Sequence, residues 1–172
     1  MKKSIKTSDI TVTALFAAIV CVATFIIKIP VPATQGYIHF GDAFVILAGI
    51  FPGMGLGMLS AGIGSGLADL FSGYPVYSPV SFGIKAVCAI VVSLIYKKTK
   101  NRIHSPMVRL IISGIVSTAI ITGGYLIFEL ALYGTAAFLE IPMNLIQGGA
   151  ATGISCALYP LFSRIPNLKG RF

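Results

Sequence analysis

A chain of 172 residues that is 56% hydrophobic and only 10% charged, with a mean hydropathy of +0.91, lies outside the composition of a soluble globular domain. It reads as an integral membrane protein with room for one bundle of about five or six helices of some 20 residues each, and for no additional soluble domain. The net charge of +8 does not point to nucleic acid, because the basic residues flank apolar spans without interleaved aromatics and are better explained by a membrane surface.

The basic start, Met1 to Asp9, runs into the first span without a small-residue cleavage pattern, which predicts a retained first helix rather than a cleaved signal. That span covers about Ile10 to Ile27, with Thr7-Ser8-Asp9 as a helix cap and Ile29-Pro30-Val31-Pro32 as its stop. A loop of Lys28 to Phe40 follows. The stretch Gly41 to Phe71 is too short for two full spans and long for one. Charge decides between them. Taken as one span, it would put the basic loop Lys97 to Arg109 on the side opposite the basic start. A turn at Phe51-Pro52-Gly53 places all three basic clusters on the cytoplasmic side and leaves only Lys28 and Lys85 elsewhere. The later spans are about Pro79 to Tyr96, Met107 to Leu132 and Pro142 to Phe162. The expected fold is therefore all-α: a single domain over residues 1–172, six transmembrane helices, both termini cytoplasmic.

The glycines 53, 55, 57, 62, 64 and 66 suit close helix packing, since no strand precedes them and no Gly-Lys-Ser/Thr follows. Cys21, Cys88 and Cys156 lie in apolar stretches without metal-ligand spacing and read as core residues, so neither a metal nor a cofactor is expected.

In this topology the polar side chains of the spans gather at the outer face: Asp42, Asp69, Lys85, Glu129, Glu140, Asn144 and Gln147. Buried charges are costly and normally face a bundle interior, so the convergence predicts an outward-facing pocket. Glu140, Asn144 and Gln147 stand at i, i+4 and i+7 and share a face if the helix begins that early. Asn144 and Gln147 are candidates to read the edge of a small heterocycle, with interhelical hydrogen bonding as the alternative, while Glu140 reads more simply as a cap. Glu129 lies between Tyr125 and Tyr133 at four-residue spacing and is either a ligand contact or a solvated carboxylate. Lys85 needs a partner, Asp69 or Glu129 by position, and a structural ion pair competes with ligand contact. Asp42 reads as a capping residue. Loops bring Gln35, Tyr37, His39, Tyr74 and Tyr77 to the mouth of the pocket as a candidate lid.

Small residues recur at helical spacing at Ala14 and Ala18, at Gly57, Ala61 and Ser65, and at Gly149 and Gly153, allowing close approach by another helix of this chain or of a partner.

The segments Ala14 to Ala18, Gly41-Asp42-Ala43, Gly62 to Tyr74, Ile84-Lys85 and Glu140 to Gln147 together resemble the substrate-binding S component of energy-coupling factor (ECF) vitamin transporters, in the riboflavin and hydroxymethylpyrimidine type branch. The resemblance implies a six-helix bundle in the plasma membrane of a prokaryote, binding a vitamin or precursor near the outer leaflet under the loop after the first helix. It implies a transmembrane coupling subunit and two cytoplasmic ATPases as partners, with Ala14 and Ala18 at the docking face and no enzymatic activity of its own. For the ligand, a pocket of amides, a carboxylate and aromatic loops fits hydroxymethylpyrimidine or pyridoxine better than the larger riboflavin. The rivals are an autonomous secondary transporter or channel using a carboxylate and Lys relay, which lacks an evident inverted repeat, and an intramembrane aspartyl protease on Asp42 and Asp69, which sit at helix ends.

Overall fold

The structure, a computed structural model, describes residues 6–26, 28–31, 36–166 and 168. Six α-helices follow one another: α1 (Thr7–Ile26), α2 (Gly41–Ile50), α3 (Met54–Phe71), α4 (Ser78–Lys98), α5 (Pro106–Tyr133) and α6 (Glu140–Ser163). A 3-10 turn, Gly134–Leu139, joins the last two helices. The ends follow local chemistry. Asp9 in the first turn of α1 accepts the Lys6 N–H at 3.0 Å, one half of a capping box. Ser105 caps α5 through the Val108 N–H, with Pro106 in the first turn, where its missing N–H costs nothing.

The segment after α1 departs from the all-helical expectation. Residues 28–31 (β1) and 36–39 (β2) form an antiparallel hairpin in the register Lys28↔His39 and Ile29↔Ile38. The β-branched and aromatic residues Ile29, Tyr37 and Ile38 suit a pleated strand.

The turn at Phe51-Pro52-Gly53 is present, with Gly53 at φ 87° in the region that favours glycine. It divides the ambiguous stretch unequally. The 18 residues of α3 reach roughly 27 Å, while the 10 of α2 reach only about 15 Å, half a bilayer core. What α2 lacks in length it makes up in burial: every residue but Phe44 is buried, with α1, α3, α4 and α6 packed around it. Outside this centre α3 lies between α1 and α4, and α5 between α4 and α6. Gly64 sets the approach of α3 to α1, since a Cβ there would meet the Ala17 carbonyl oxygen at 2.5 Å.

Thr7–Ile26, Met54–Phe71, Ser78–Lys98 and the helical stretch Pro106–Ser163, which holds both α5 and α6, are long and apolar enough to cross a membrane. Large apolar side chains such as Leu15, Ile63, Ile115, Ile127 and Leu161 point away from the bundle. The chain is a multi-pass membrane protein.

The two ends of the bundle differ. At the basic end, where the Lys97 to Arg109 segment lies, Phe16, Phe51, Tyr96, Leu110, Tyr159 and Phe162 form an aromatic and aliphatic core. The opposite, hairpin end holds the ends of α1, α3 and α5, the starts of α2, α4 and α6, and most of the buried ionisable groups.

Candidate functional site

The start of α2 carries Asp42, the one charge in an otherwise apolar and buried helix, so it must find partners inside the protein. It finds two. Lys85 of α4, fully buried, donates to Asp42 Oδ1 at 2.6 Å, and Gln147 Nε2 of α6 donates to Oδ2 at 2.6 Å. This corrects two expectations. Asp42 makes no capping bond, and Lys85 pairs with it rather than with Asp69 or Glu129, because α2 runs through the bundle centre and faces both α4 and α6. The Lys85 ammonium also lies 5.1 Å from the centre of the Tyr125 ring.

The other end of the Gln147 amide reaches the hairpin, its Oε1 accepting the His39 N–H at 2.8 Å. Tyr37 O–H donates to Asp69 Oδ1 at 2.5 Å, and Lys28 Nζ to Ser72 Oγ at 2.9 Å. Among the described residues three bonds close the hairpin on the bundle, one of them onto the ion-pair network. Burial, reinforced by Asp69, pushes the Tyr37 phenol up and keeps it a donor. Burial lowers His39 to about 4, against the pull of Asp42 and with help from Lys85, so the imidazole is neutral. Its Nδ1 accepts the Gly41 N–H at 3.1 Å, which assigns the proton to Nε2.

Beneath the hairpin is a cavity of about 30 Å³. Tyr37 and His39 form its roof, Asp69, Tyr77 and Ser81 one wall, Tyr125 and Glu129 a second, and Glu140, Asn144 and Gln147 a third. The helix α6 begins at Glu140, early enough for the three residues spaced i, i+4 and i+7 to turn together towards the cavity, and all three are buried. The two amides divide. Gln147 is engaged at both ends, whereas among the described residues no hydrogen bond engages Asn144, which is 9% exposed. Tyr77 O–H donates to Glu129 Oε1 at 3.3 Å, and Ser81 and Tyr125 share a hydroxyl bond of 2.6 Å.

Of the remaining sequence candidates, Tyr74 stands outside the lining, its ring 5.0 Å from that of Tyr37 and 6.4 Å from that of Tyr77. Lys85 lies behind the wall in its ion pair, and Gln35 falls outside the described residues. Ser81 escaped the sequence reading, and Tyr37, Asp69, Tyr77 and Glu140 entered it only as loop, partner or cap. The spacing Tyr77, Ser81, Lys85, one residue per turn down the start of α4, was the available signal.

On the flank of the bundle, Ala14 and Ala18 of α1 are exposed and line an apolar groove of about 630 Å³ with Leu56, Leu59, Ile63 and Leu67 of α3. By contrast Gly57, Ala61 and Ser65 are buried within the bundle, and Gly149 and Gly153 face outward.

A family model described as "ECF-type riboflavin transporter, S component" matches residues 4–164. A relative from Pyrococcus woesei, described as "Uncharacterized protein in gap 3'region", is 32% identical over 136 residues, 78% of this chain and 86% of its own length. A solved structure described as "Structure and mechanism of the S component of a bacterial ECF transporter" superposes with a TM-score of 0.65 over 90% of this chain and 95% of its own, at 24% identity, a likeness of fold.

Proposed function

Since the chain belongs to the ECF-type riboflavin transporter S component family, we propose that it captures a small heteroaromatic vitamin or precursor in the cavity beneath the hairpin and hands it to an ATP-driven partner assembly. The observation that carries this reading is the enclosure of buried polar groups from α3, α4, α5 and α6 under a hairpin held by three hydrogen bonds. Ligand sites combine such convergent polar groups with aromatic walls.

In this proposal the six helices form one domain with both termini cytoplasmic, α2 crossing only part of the bilayer. The gathering of basic residues at the end opposite the cavity supports that orientation, and it sets the cavity at the outer face of a prokaryotic plasma membrane. At about 30 Å³ the cavity falls far below the roughly 300 Å³ of ordinary small-molecule pockets, so the hairpin withdraws to admit the ligand and recloses on it. Asn144, with its unengaged amide, contacts the ligand edge. Tyr125, Glu129 and His39 contact it from the walls and roof, Gln147 couples ligand to hairpin, Lys85 holds Asp42, and Tyr74 belongs to the lid. Hydroxymethylpyrimidine and pyridoxine require less widening of this cavity than riboflavin, whose name the family carries.

The transmembrane coupling subunit docks on the groove at Ala14 and Ala18, where small side chains admit a close helix, and two cytoplasmic ATPases supply the energy. Native mass spectrometry of the purified protein, followed by titration with a vitamin panel, tests the reading: one panel member binds, and binding of none at micromolar concentration would overturn it. Ala14→Trp fills the groove, so it abolishes copurification of the coupling subunit and leaves vitamin affinity unchanged.

A further inference from the structure

The charge of the cavity runs against that of the chain. Of five acidic residues in a protein of net charge +8, four, Asp42, Asp69, Glu129 and Glu140, gather at the hairpin end. Lys85 neutralises Asp42, and the other three line the cavity, whose described lining residues include no Lys or Arg.

Among the described residues, two of these carboxylates are incompletely satisfied. Glu129 is 3% exposed, with Oε1 3.3 Å from the Tyr77 hydroxyl and Oε2 without a hydrogen-bond partner. Asp69 is 5% exposed, with Oδ1 held by Tyr37, the Ser81 hydroxyl alongside, and Oδ2 without a partner. A buried carboxylate oxygen lacking a donor is destabilising, and a purely structural arrangement removes that cost with a cation, as Lys85 does for Asp42 one layer deeper. Here both oxygens belong to residues that line the cavity, whose walls also carry the rings of Tyr77 and Tyr125.

We propose that the cavity selects a ligand bearing a positively charged nitrogen, whose N–H donors reach Glu129 Oε2 and Asp69 Oδ2 while its ring lies against the tyrosines. A cation supplies the charge and the donors that the walls lack, and an aromatic face adds to its binding. An acceptor-rich neutral ring such as a flavin instead sets lone pairs against lone pairs. A bare metal ion fits less well: among the described residues no three His, Cys, Asp or Glu side chains come together closely enough to hold one.

The inference rests on the reading of the chain as a vitamin-capturing subunit and adds the charge of what it captures. Matched pairs test it: pyridoxamine against pyridoxine, and aminomethylpyrimidine against hydroxymethylpyrimidine, titrated calorimetrically into the full chain at neutral pH beside riboflavin. Within the pair that binds, the ammonium member is expected to bind at least about tenfold more tightly than the alcohol, and Glu129→Gln to bring that ratio near one. The wild-type comparison needs no variant, so a poorly folding Glu129→Gln leaves the proposal open to refutation. An alcohol that binds as tightly as its ammonium partner, a ratio that Glu129→Gln leaves unchanged, or riboflavin as the sole ligand overturns the charge assignment and spares the subunit reading. Binding of no probe overturns both.

Discussion

The hairpin end and the basic end of this bundle are built by different rules. At the basic end Phe16, Phe51, Leu110 and Phe162 pack by shape and the buried polar groups are few: Tyr96 and Tyr159 share a hydroxyl bond of 2.6 Å, and Arg109 donates to the Tyr96 carbonyl at 3.1 Å, its Nε and the Ser93 hydroxyl having no partner among the described residues. At the hairpin end hydrogen bonds and charge hold the elements, and the incompletely used groups include the carboxylates of Asp69 and Glu129, which line a cavity. A region that only needs to be stable can be filled with hydrocarbon. One that must recognise a solute keeps polar groups poised at a cost in stability.

The sharpest way to break this contrast is to strand a charge. Lys85→Met leaves Asp42 buried beside Gln147 alone and should destabilise the protein by ~3–5 kcal/mol, read as an earlier loss of monodispersity on heating in detergent. The double variant Asp42→Asn, Lys85→Met should recover much of that loss, since removing both charges is far cheaper than removing one. Next comes Gln147→Ala, which cuts the link from Asp42 to the hairpin. It should weaken binding of the preferred vitamin by about 1–3 kcal/mol, roughly 5- to 150-fold in Kd, through a less securely closed roof.

The effect of pH is smaller and carries a definite sign. In the closed hairpin His39 is held at about 4, while in an open, solvated hairpin it titrates near its ordinary value of about 6.5. The open form therefore binds more protons between those values. Closure is fully favoured above about pH 6.5 and is lost progressively towards pH 4, by an order of 1–2 kcal/mol at pH 5, with Asp42 opposing and Lys85 reinforcing the shift. His39→Asn keeps an acceptor for the Gly41 N–H but has no titratable ring, so it should flatten this component of ligand affinity measured from pH 7.5 to 5. The smallest change belongs to the other end: Tyr159→Phe should cost about 1 kcal/mol of stability and nothing in ligand affinity. An affinity loss there would erase the distinction between the two ends.

Much of this architecture was legible in the sequence because it rests on local rules. Pro and Gly mark the turn at Phe51-Pro52-Gly53, and the period of Glu140, Asn144 and Gln147 gathers one face of a helix. The hairpin was not read, since its strands are four residues each and two prolines in that stretch suggested a loop. The pairing of Lys85 was misplaced for a different reason. Choosing among three carboxylates needs the position of α2 at the bundle centre, a tertiary fact with no trace in the spacing of residues 42 and 85. Ser81 was missed because a serine near a helix start is ordinary. Only the neighbouring Tyr125 hydroxyl from α5 makes it part of a wall.

The central claim, that ligand capture belongs to the hairpin end, is tested most directly by hydrogen–deuterium exchange of the protein in lipid nanodiscs, with and without the tightest-binding vitamin of the panel. The account predicts ligand-dependent protection in residues 36–42, 69–81 and 139–147, with none in the segments around Phe51, Tyr96 and Tyr159. Protection centred on those basic-end segments, or no change at the hairpin under saturating ligand, would contradict it.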